Sequence, residues 1–230
     1  MNLFEDWADL RQSNSVPSTA SPLFVDIPLA KITRDFITLW VTVDPISNLA
    51  LFAGLTASLT AGERRRTAFR ASLYAALILA VAVVAGQIIL DAVGIHLHSL
   101  KVAGGIILFL FGLRMLFGSF DANNGAPEAG RDLAVFPLAV PAIAGPGAIM
   151  AVILLTDNDV YTVAQQVETG VVLLVVLLLN LVMLLLSNLI LRVIGREGAA
   201  VLIRVMGMIL ASLAVEIVLT ALAVGSWKPA

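Results

Sequence analysis

An apolar segment at residues 36–59 carries a polar interruption at its centre, and few folds can accommodate one. The interruption reads Asp44-Pro45-Ile46-Ser47-Asn48. Proline removes a backbone donor and clashes with the preceding helical turn, so a break is predicted there. A second apolar segment, 133–156, is interrupted by Pro141 and by Ala144-Gly145-Pro146-Gly147-Ala148. Irregular backbone at membrane depth must face protein or a watery cavity, so paired breaks indicate a transporter binding site.

Composition shows that lipid is the relevant solvent. Hydrophobic residues make up 60% of the 230 residues and charged residues 13%, too few to cover a water-soluble globule. A net charge of −2 gives no basic field for nucleic acid, and the absence of cysteine removes disulfides and thiolate metal sites. The chain lacks G-x-x-x-x-G-K and G-x-G-x-x-G motifs, so neither a nucleotide cofactor nor an ATP-driven pump is predicted. No metal site and no enzyme activity are predicted either.

Six segments approach the ~20 apolar residues that a membrane-spanning helix needs. They run over 36–59, 68–90, 102–120, 133–156, 171–191 and 205–224. Arginines concentrate in the connections after the first, third and fifth segments: Arg64, Arg65, Arg66 and Arg70, then Arg131, then Arg192, Arg196 and Arg204. The positive-inside rule makes these connections cytoplasmic, so both termini are predicted to be periplasmic.

The two halves of the chain can be superposed in sequence. A shift of 102 positions places Gly105 on Gly207, and a shift of 101 places Pro45 on Pro146. Each half holds three spans, so the second must be inverted relative to the first. The predicted fold is all-α: a polytopic membrane protein with six transmembrane helices in two inverted three-helix repeats, helices one and four being broken at mid-membrane. The predicted parts are an external N-terminal tail (1–31), the first repeat (32–120), a cytoplasmic linker (121–131), the second repeat (132–224) and an external C-terminus (225–230).

Several motifs together resemble the MarC family of six-span inner-membrane proteins. They are Asp44-Pro45-Ile46-Ser47-Asn48-Leu49, Leu55-Thr56-Ala57, Glu63-Arg64-Arg65-Arg66, Ala103-Gly104-Gly105-Ile106, Pro141 and Ala144-Gly145-Pro146-Gly147-Ala148-Ile149. The resemblance covers residues 32–224 and implies transport of a small solute, since the family is classed with small neutral amino acid transporters. Two positions depart from the family pattern: Ser47 stands where glycine is usual, and Glu216 stands where glutamine is expected.

The paired breaks supply the candidate binding residues. A broken helix exposes the positive end of one half-helix and the negative end of another, which suits a zwitterion. We expect the substrate carboxylate near the N–H groups of Ser47 and Asn48 or of Gly147 and Ala148, and its ammonium near Asp44 or a freed carbonyl. The predicted substrate-binding set is Asp44, Pro45, Ser47, Asn48, Gly145, Pro146, Gly147 and Ala148. Two alternatives stay open: Asp44 as a helix cap, and the glycines as close helix-packing positions.

Glu216 and Asp44 are the candidates for coupling transport to a proton or a sodium ion, because an ionisable group inside a span is by default a functional candidate. Arg114 and Asn180 are predicted to support the site. A direct Arg114–Glu216 bridge is not expected, because the two lie at different depths, ~12 Å apart at ~1.5 Å per residue. The alternative functions are a passive channel and a structural or regulatory membrane protein. The sequence predicts a lipid bilayer and a small molecule as partners but no oligomeric state.

Overall fold

The computed structural model describes residues 29–117 and 132–222, and every element in these ranges is helical. The helices are α1 (Leu29–Val43), α2 (Pro45–Leu55), α3 (Ala61–Val93), α4 (Leu97–Phe117), α5 (Ala134–Ile143), α6 (Pro146–Leu155), α7 (Val163–Leu185) and α8 (Ser187–Ala221). Helix α5 is irregular, because the backbone is extended at Phe136 and Val140, each of which precedes a proline. The predicted tail before Leu29, the linker 121–131 and the C-terminus 225–230 lie outside the described residues. From Ile32 onward the chain forms one compact unit.

Within residues 29–117 and 132–222, five helical stretches are long and apolar enough to cross a membrane. They are Leu29–Leu55, Ala61–Val93, Leu97–Phe117, Val163–Leu185 and Glu197–Ala221. The pair α5 and α6, bent by 53° at a short break, makes a sixth if it is counted as one span. The predicted all-α, multi-span architecture is therefore confirmed. Several helices extend beyond the predicted apolar segments, because polar residues continue a helix past the hydrocarbon core.

Local capping explains where α3 and α7 begin. Thr60 and Glu63 form a reciprocal capping box at the start of α3, and Thr162 and Gln165 form the same box at the start of α7. In each box the threonine side chain accepts a backbone N–H, while the acid or amide side chain accepts the N–H of the threonine. Both boxes satisfy N–H groups that the first helical turn leaves unpaired.

Helix α8 contains a break at Gly195, whose φ of 75° and ψ of 169° are non-helical. The break separates a short inner piece, residues 187–194, from the span that begins at Glu197. Ser187, at the start of the short piece, accepts a hydrogen bond of 3.0 Å from the Arg64 guanidinium. That guanidinium also lies 5.7 Å from the centroid of the Phe52 ring. The start of α8 is thus tied to the start of α3.

Contacts along α3 identify the two ends of the helical unit. Near the start of α3, Arg70 forms an ion pair with Asp132, which directly precedes α5. Near the end of α3, the Gln87 side chain accepts the backbone N–H of Asn158, in the connection between α6 and α7, at 3.1 Å. The connections before α5 and before α8 therefore lie at one end of α3, and the connection before α7 lies at the other. This agrees with the alternation expected of consecutive spans.

Among the described helices, α4 and α8 share the most extensive contact, and glycines make this contact possible. A Cβ on Gly112 would lie 2.8 Å from the Gly207 carbonyl oxygen, and a Cβ on Gly105 would lie 3.0 Å from the Ala214 carbonyl oxygen. Moving from Gly112 to Gly105 on α4 therefore means moving from Gly207 to Ala214 on α8, so the two helices are antiparallel. Small residues at such crossings let backbones approach closely, and dispersion contacts hold the pair together in lipid.

Candidate functional site

The junction between α1 and α2 is formed by Asp44. Its φ of 51° and ψ of 68° are left-handed, and no other non-glycine among the described residues has a positive φ. Its carboxylate accepts the Ser47 N–H at 3.3 Å and so caps α2, which begins with Pro45. Asp44 is only 8% exposed. A left-handed aspartate costs ~1–2 kcal/mol relative to a right-handed one, a cost that clusters at functional sites.

A buried polar cluster surrounds this junction. We call Asp44, Ser47, Asn48 and Asn180 the junction cluster. The Asn48 amide donates to the Val43 carbonyl at 2.7 Å and to the Asn180 side-chain oxygen at 3.2 Å, which links α2 to α7. Asn48 is 3% exposed and Asn180 is fully buried. The structure thus brings together the predicted substrate residues of the first break and one of the two predicted supporting residues.

Two side-chain groups of the junction cluster are buried and form no hydrogen bond of normal geometry with a described residue. They are the Asn180 Nδ2 amide and the Ser47 hydroxyl, which lies close enough to the Asp44 carboxylate for a weaker interaction. A buried polar group left unpaired costs ~1–3 kcal/mol. Because most buried polar groups in native proteins are paired, unpaired ones beside a carboxylate indicate a place where a polar ligand or water binds.

The junction between α5 and α6 has the opposite electrostatic character. Gly145 occupies the N-cap position of α6, and no side chain caps this helix. The first backbone bond of α6 runs from the Ile149 N–H to the Gly145 carbonyl at 3.0 Å, so the N–H groups of Gly147 and Ala148 have no helical acceptor. The N-terminus of α6 therefore keeps its partial positive charge, whereas a carboxylate offsets that of α2.

Hydrogen bonds at the first junction reduce the number of backbone N–H groups that can bind a substrate carboxylate. In the sequence, the N–H groups of Ser47 and Asn48 were equivalent candidates to those of Gly147 and Ala148. In the structure the Ser47 N–H is held by the Asp44 carboxylate, and the Asn48 N–H donates to the Asp44 carbonyl at 3.1 Å. Only the second pair stays free to donate to a ligand.

The glycines of the second break are also required by packing. A Cβ on Gly147 would lie 2.1 Å from the Leu108 Cδ2, and one on Gly145 would lie 2.6 Å from the Pro141 carbonyl oxygen. Gly147 thus sits in the contact between α6 and α4, and Ala148 beside it is fully buried. The packing explanation left open by the sequence has a direct structural basis, which is compatible with ligand binding through the backbone N–H groups.

Glu216 and Arg114 lie on exposed surfaces of α8 and α4. Neither side chain forms a hydrogen bond or ion pair with another described residue, and the Ser212 hydroxyl near Glu216 donates instead to the Met208 carbonyl at 2.9 Å. The antiparallel register places Glu216 toward Gly105 and Arg114 toward Gly207, at opposite ends of the α4–α8 contact. The absence of a bridge between them agrees with the sequence expectation. The structure shows no contact of either residue with the junction cluster.

Asp35 is a buried residue that was not predicted to lie in a span. The first predicted span begins at Phe36, but α1 begins at Leu29 and Asp35 is 1% exposed. The Asp35 carboxylate accepts the Thr169 hydroxyl at 2.7 Å and so joins α1 to α7. The available signal was helical spacing, since Asp35, Leu39 and Thr42 fall on one buried face of α1.

Comparison with known proteins places this architecture in a family. Residues 29–224 match the model of the MarC family integral membrane proteins. A UPF0056 membrane protein of Archaeoglobus fulgidus is 38% identical over 195 residues, covering 82% of this chain and 90% of the relative. A UPF0056 membrane protein of Buchnera aphidicola subsp. Schizaphis graminum is 31% identical, covering 82% of this chain and 94% of the relative.

A third relative is the UPF0056 inner membrane protein MarC of Escherichia coli O1:K1 / APEC. It is 33% identical over 196 residues, covering 76% of this chain and 86% of the relative. No solved structure shows significant similarity to the chain. The family model matches most of the chain and the relatives agree with it. The chain therefore belongs to the MarC family of integral membrane proteins, as the motifs around Asp44 and Pro146 had indicated.

Proposed function

We propose that this protein is a secondary transporter of small neutral amino acids or similar small solutes, which bind between the α1–α2 and α5–α6 junctions. The junction cluster carries this proposal, because it holds a buried carboxylate together with unpaired donors inside a membrane-spanning unit. Polar groups at this depth are costly and mark substrate or ion pathways.

The two junctions offer complementary charges to a zwitterion. The Asp44 carboxylate at the first junction suits an ammonium group. The uncapped N–H groups of Gly147 and Ala148 at the second junction suit a carboxylate. Val43 from the first junction and Ala144 and Ala148 from the second belong to one buried apolar cluster, which supports a shared site. Leu108 fills the space beside Gly147, where a Cβ would lie 2.1 Å from its Cδ2, so the second junction leaves little room for a large substrate.

The contact between α4 and α8 supports the inverted-repeat architecture that this proposal uses. A Cβ on Gly105 would meet the Ala214 carbonyl oxygen at 3.0 Å, and a Cβ on Gly207 would meet the Gly112 carbonyl oxygen at 2.9 Å. The sequence shift of 102 positions that places Gly105 on Gly207 also places Gly112 on Ala214. The two contacts are therefore equivalent under exchange of the halves, as a two-fold axis between α4 and α8 would make them.

Helix caps supply independent support for the repeat. The capping boxes at Thr60 and Thr162 are also 102 positions apart. The short helices α2 and α6 each begin with proline and end at a threonine, Thr56 or Thr156, whose hydroxyl donates to the carbonyl four residues earlier at 2.7 Å. The prolines, the threonines and the capping boxes thus recur at nearly one spacing, which supports an internal repeat.

The two halves differ in the bend of their broken span. The α5–α6 pair is bent by 53°, whereas α1 and α2 form a single candidate span. In transporters with inverted repeats, one half rocks or gates against the other around a fixed site. We propose that the α1–α2 junction bends while the α5–α6 junction straightens during transport. The binding site between them stays near mid-membrane.

Asp44 is the better candidate for the coupling ion, because it lies in the junction cluster and Glu216 does not. A proton or a sodium ion bound at Asp44 would compete with the substrate ammonium or accompany it. We place the protein in the cytoplasmic (inner) membrane with both termini periplasmic. The arginine connections and the name of the Escherichia coli relative support this assignment.

Flux into proteoliposomes tests the proposal. Purified protein should give saturable uptake of radiolabelled alanine and glycine and should show counterflow. Liposomes with the folded Asp44→Asn variant are the matched control and should show much less uptake. Linear flux without counterflow would indicate a passive channel. No flux of any small amino acid by folded protein would overturn the transporter proposal and favour a structural or regulatory role.

A further inference from the structure

Asn180 is a polar residue on a part of α7 whose other buried residues are apolar. The other buried residues on this face near it are apolar: Val176, Leu177 and Leu184. Asn180 is fully buried, and its Nδ2 is the one buried side-chain amide nitrogen of the described residues that has no acceptor. A leucine would pack into such a stripe without leaving a polar group unpaired, so an amide here calls for a partner.

The contact with Asn48 uses only the oxygen of the Asn180 side-chain amide and leaves its nitrogen without an acceptor. The Asn180 Oδ1 accepts a hydrogen from the Asn48 Nδ2 at 3.2 Å, and the second Asn48 hydrogen goes to the Val43 carbonyl at 2.7 Å. The orientation of both amides is therefore fixed, since exchanging O and N on Asn180 would set two donors against each other. The Nδ2 hydrogens of Asn180 stay available, and its partner Asn48 lies one helical turn along α2 from Asp44.

We infer that Asn180 is a substrate-binding residue that donates its Nδ2 hydrogens to an oxygen of a small zwitterionic amino acid whose ammonium lies at Asp44. The inference rests on the proposed function, because it uses the same site. The acceptor oxygen belongs either to the substrate carboxylate or to a side-chain hydroxyl.

Equilibrium binding to the full-length protein in detergent separates ligand binding from helix clamping. The probes are alanine, alaninamide, which lacks the carboxylate, and serine, which adds a hydroxyl. Asn180→Asp keeps an oxygen for Asn48 and removes the amide donor. Asn180→Leu removes both groups. Ser72→Ala is the control, because Ser72 is another buried serine with an unpaired hydroxyl, on α3 and outside the junction cluster.

If the substrate carboxylate is the acceptor, Asn180→Asp should weaken alanine binding by at least about tenfold, or about 1.4 kcal/mol, while Ser72→Ala leaves it unchanged. The preference for alanine over alaninamide should then shrink by the same factor. If the hydroxyl is the acceptor, the loss is confined to serine and is largest in Asn180→Leu. Unchanged affinities for all three probes in Asn180→Asp, with only a lower melting temperature in Asn180→Leu, would make Asn180 a clamp and overturn the inference.

Binding and flux together distinguish this inference from the transport proposal. Binding that is sensitive to Asn180→Asp, without flux by the wild type in proteoliposomes, overturns transport and keeps the binding assignment. Saturable wild-type flux with an unaffected Asn180→Asp variant overturns the assignment alone. A wild type that binds none of the three probes overturns both.

Discussion

Replacing Gly112 with alanine tests the contact between α4 and α8, which joins the two halves of the chain. A Cβ at this position would lie 2.8 Å from the Gly207 carbonyl oxygen and 2.9 Å from the Ala211 nitrogen. Both are backbone atoms, so relief requires α4 and α8 to move apart rather than a side chain to rotate. Overpacking of this kind costs ~1–3 kcal/mol. Alanine also favours the helical state over glycine by ~1 kcal/mol, which partly masks the cost.

Gly170→Ala on α7 removes that ambiguity as a matched control. The substitution is the same and the position is also helical, but no atom lies within 4 Å of the new Cβ. The helix-propensity gain cancels in the comparison, so Gly112→Ala should be less stable than Gly170→Ala by the full ~1–3 kcal/mol. For a chain of this size, 1 kcal/mol corresponds to about 2–4 °C in melting temperature.

The assay is thermal unfolding of both variants in the same detergent, followed by loss of helical circular dichroism. Gly112→Ala should melt at least ~2 °C below Gly170→Ala. Gly207→Ala should behave like Gly112→Ala, because its Cβ would lie 2.8 Å from the Met115 Cβ and 2.9 Å from the Gly112 carbonyl oxygen. Equal melting temperatures for Gly112→Ala and Gly170→Ala would refute the close α4–α8 contact and the symmetry argument drawn from it.

Three further predictions address the site. Asp44→Asn keeps a capping oxygen, so it should fold normally but reduce alanine flux more than tenfold, whereas Asp44→Leu should also lower stability by ~1 kcal/mol through loss of the cap; normal flux through folded Asp44→Asn protein would exclude Asp44 from binding and coupling. Glu216→Gln should leave the pH profile of flux unchanged, because Glu216 is exposed on α8 and has no partner among the described residues; a flattened profile would move coupling to Glu216, as the sequence suggested. Gly147→Ala should lower stability through the contact with Leu108, and Leu108→Ala should restore it in the double variant if packing explains the glycine; lost substrate binding that Leu108→Ala does not restore would favour a binding role.

Features with a local chemical cause were predictable from the sequence. Apolar segments identify spans because lipid rewards ~20 consecutive apolar residues whatever their neighbours. Proline at positions 45 and 146 starts a helix wherever it occurs, since it lacks the N–H that the first turn cannot use. The family motifs are likewise short runs of sequence, and the match over residues 29–224 bears them out.

Predictions stayed open, or left a residue out, where the outcome depends on the exact backbone geometry or on a partner distant in the sequence. The sequence offered Ser47 and Asn48 as carboxylate donors, but the turn geometry at Asp44 turns the carboxylate and carbonyl of that residue onto their N–H groups. Asp35 was left outside the first span because a charged residue ordinarily marks a membrane boundary. Its burial depends on Thr169, which follows 134 positions later.

The sequence by itself determined that this is a multi-span helical membrane protein of the MarC family with interruptions at Asp44–Pro45 and Gly145–Pro146, because hydropathy and proline chemistry act over a few residues. Only the tertiary structure decided which polar groups meet. Asn48 and Asn180 are 132 positions apart and become partners only because α2 packs against α7. Glu216 and Asn180 are both polar residues within apolar helices, yet one is exposed and the other is fully buried. This difference in burial depends on what packs against each helix face, which the sequence of the helix itself does not specify.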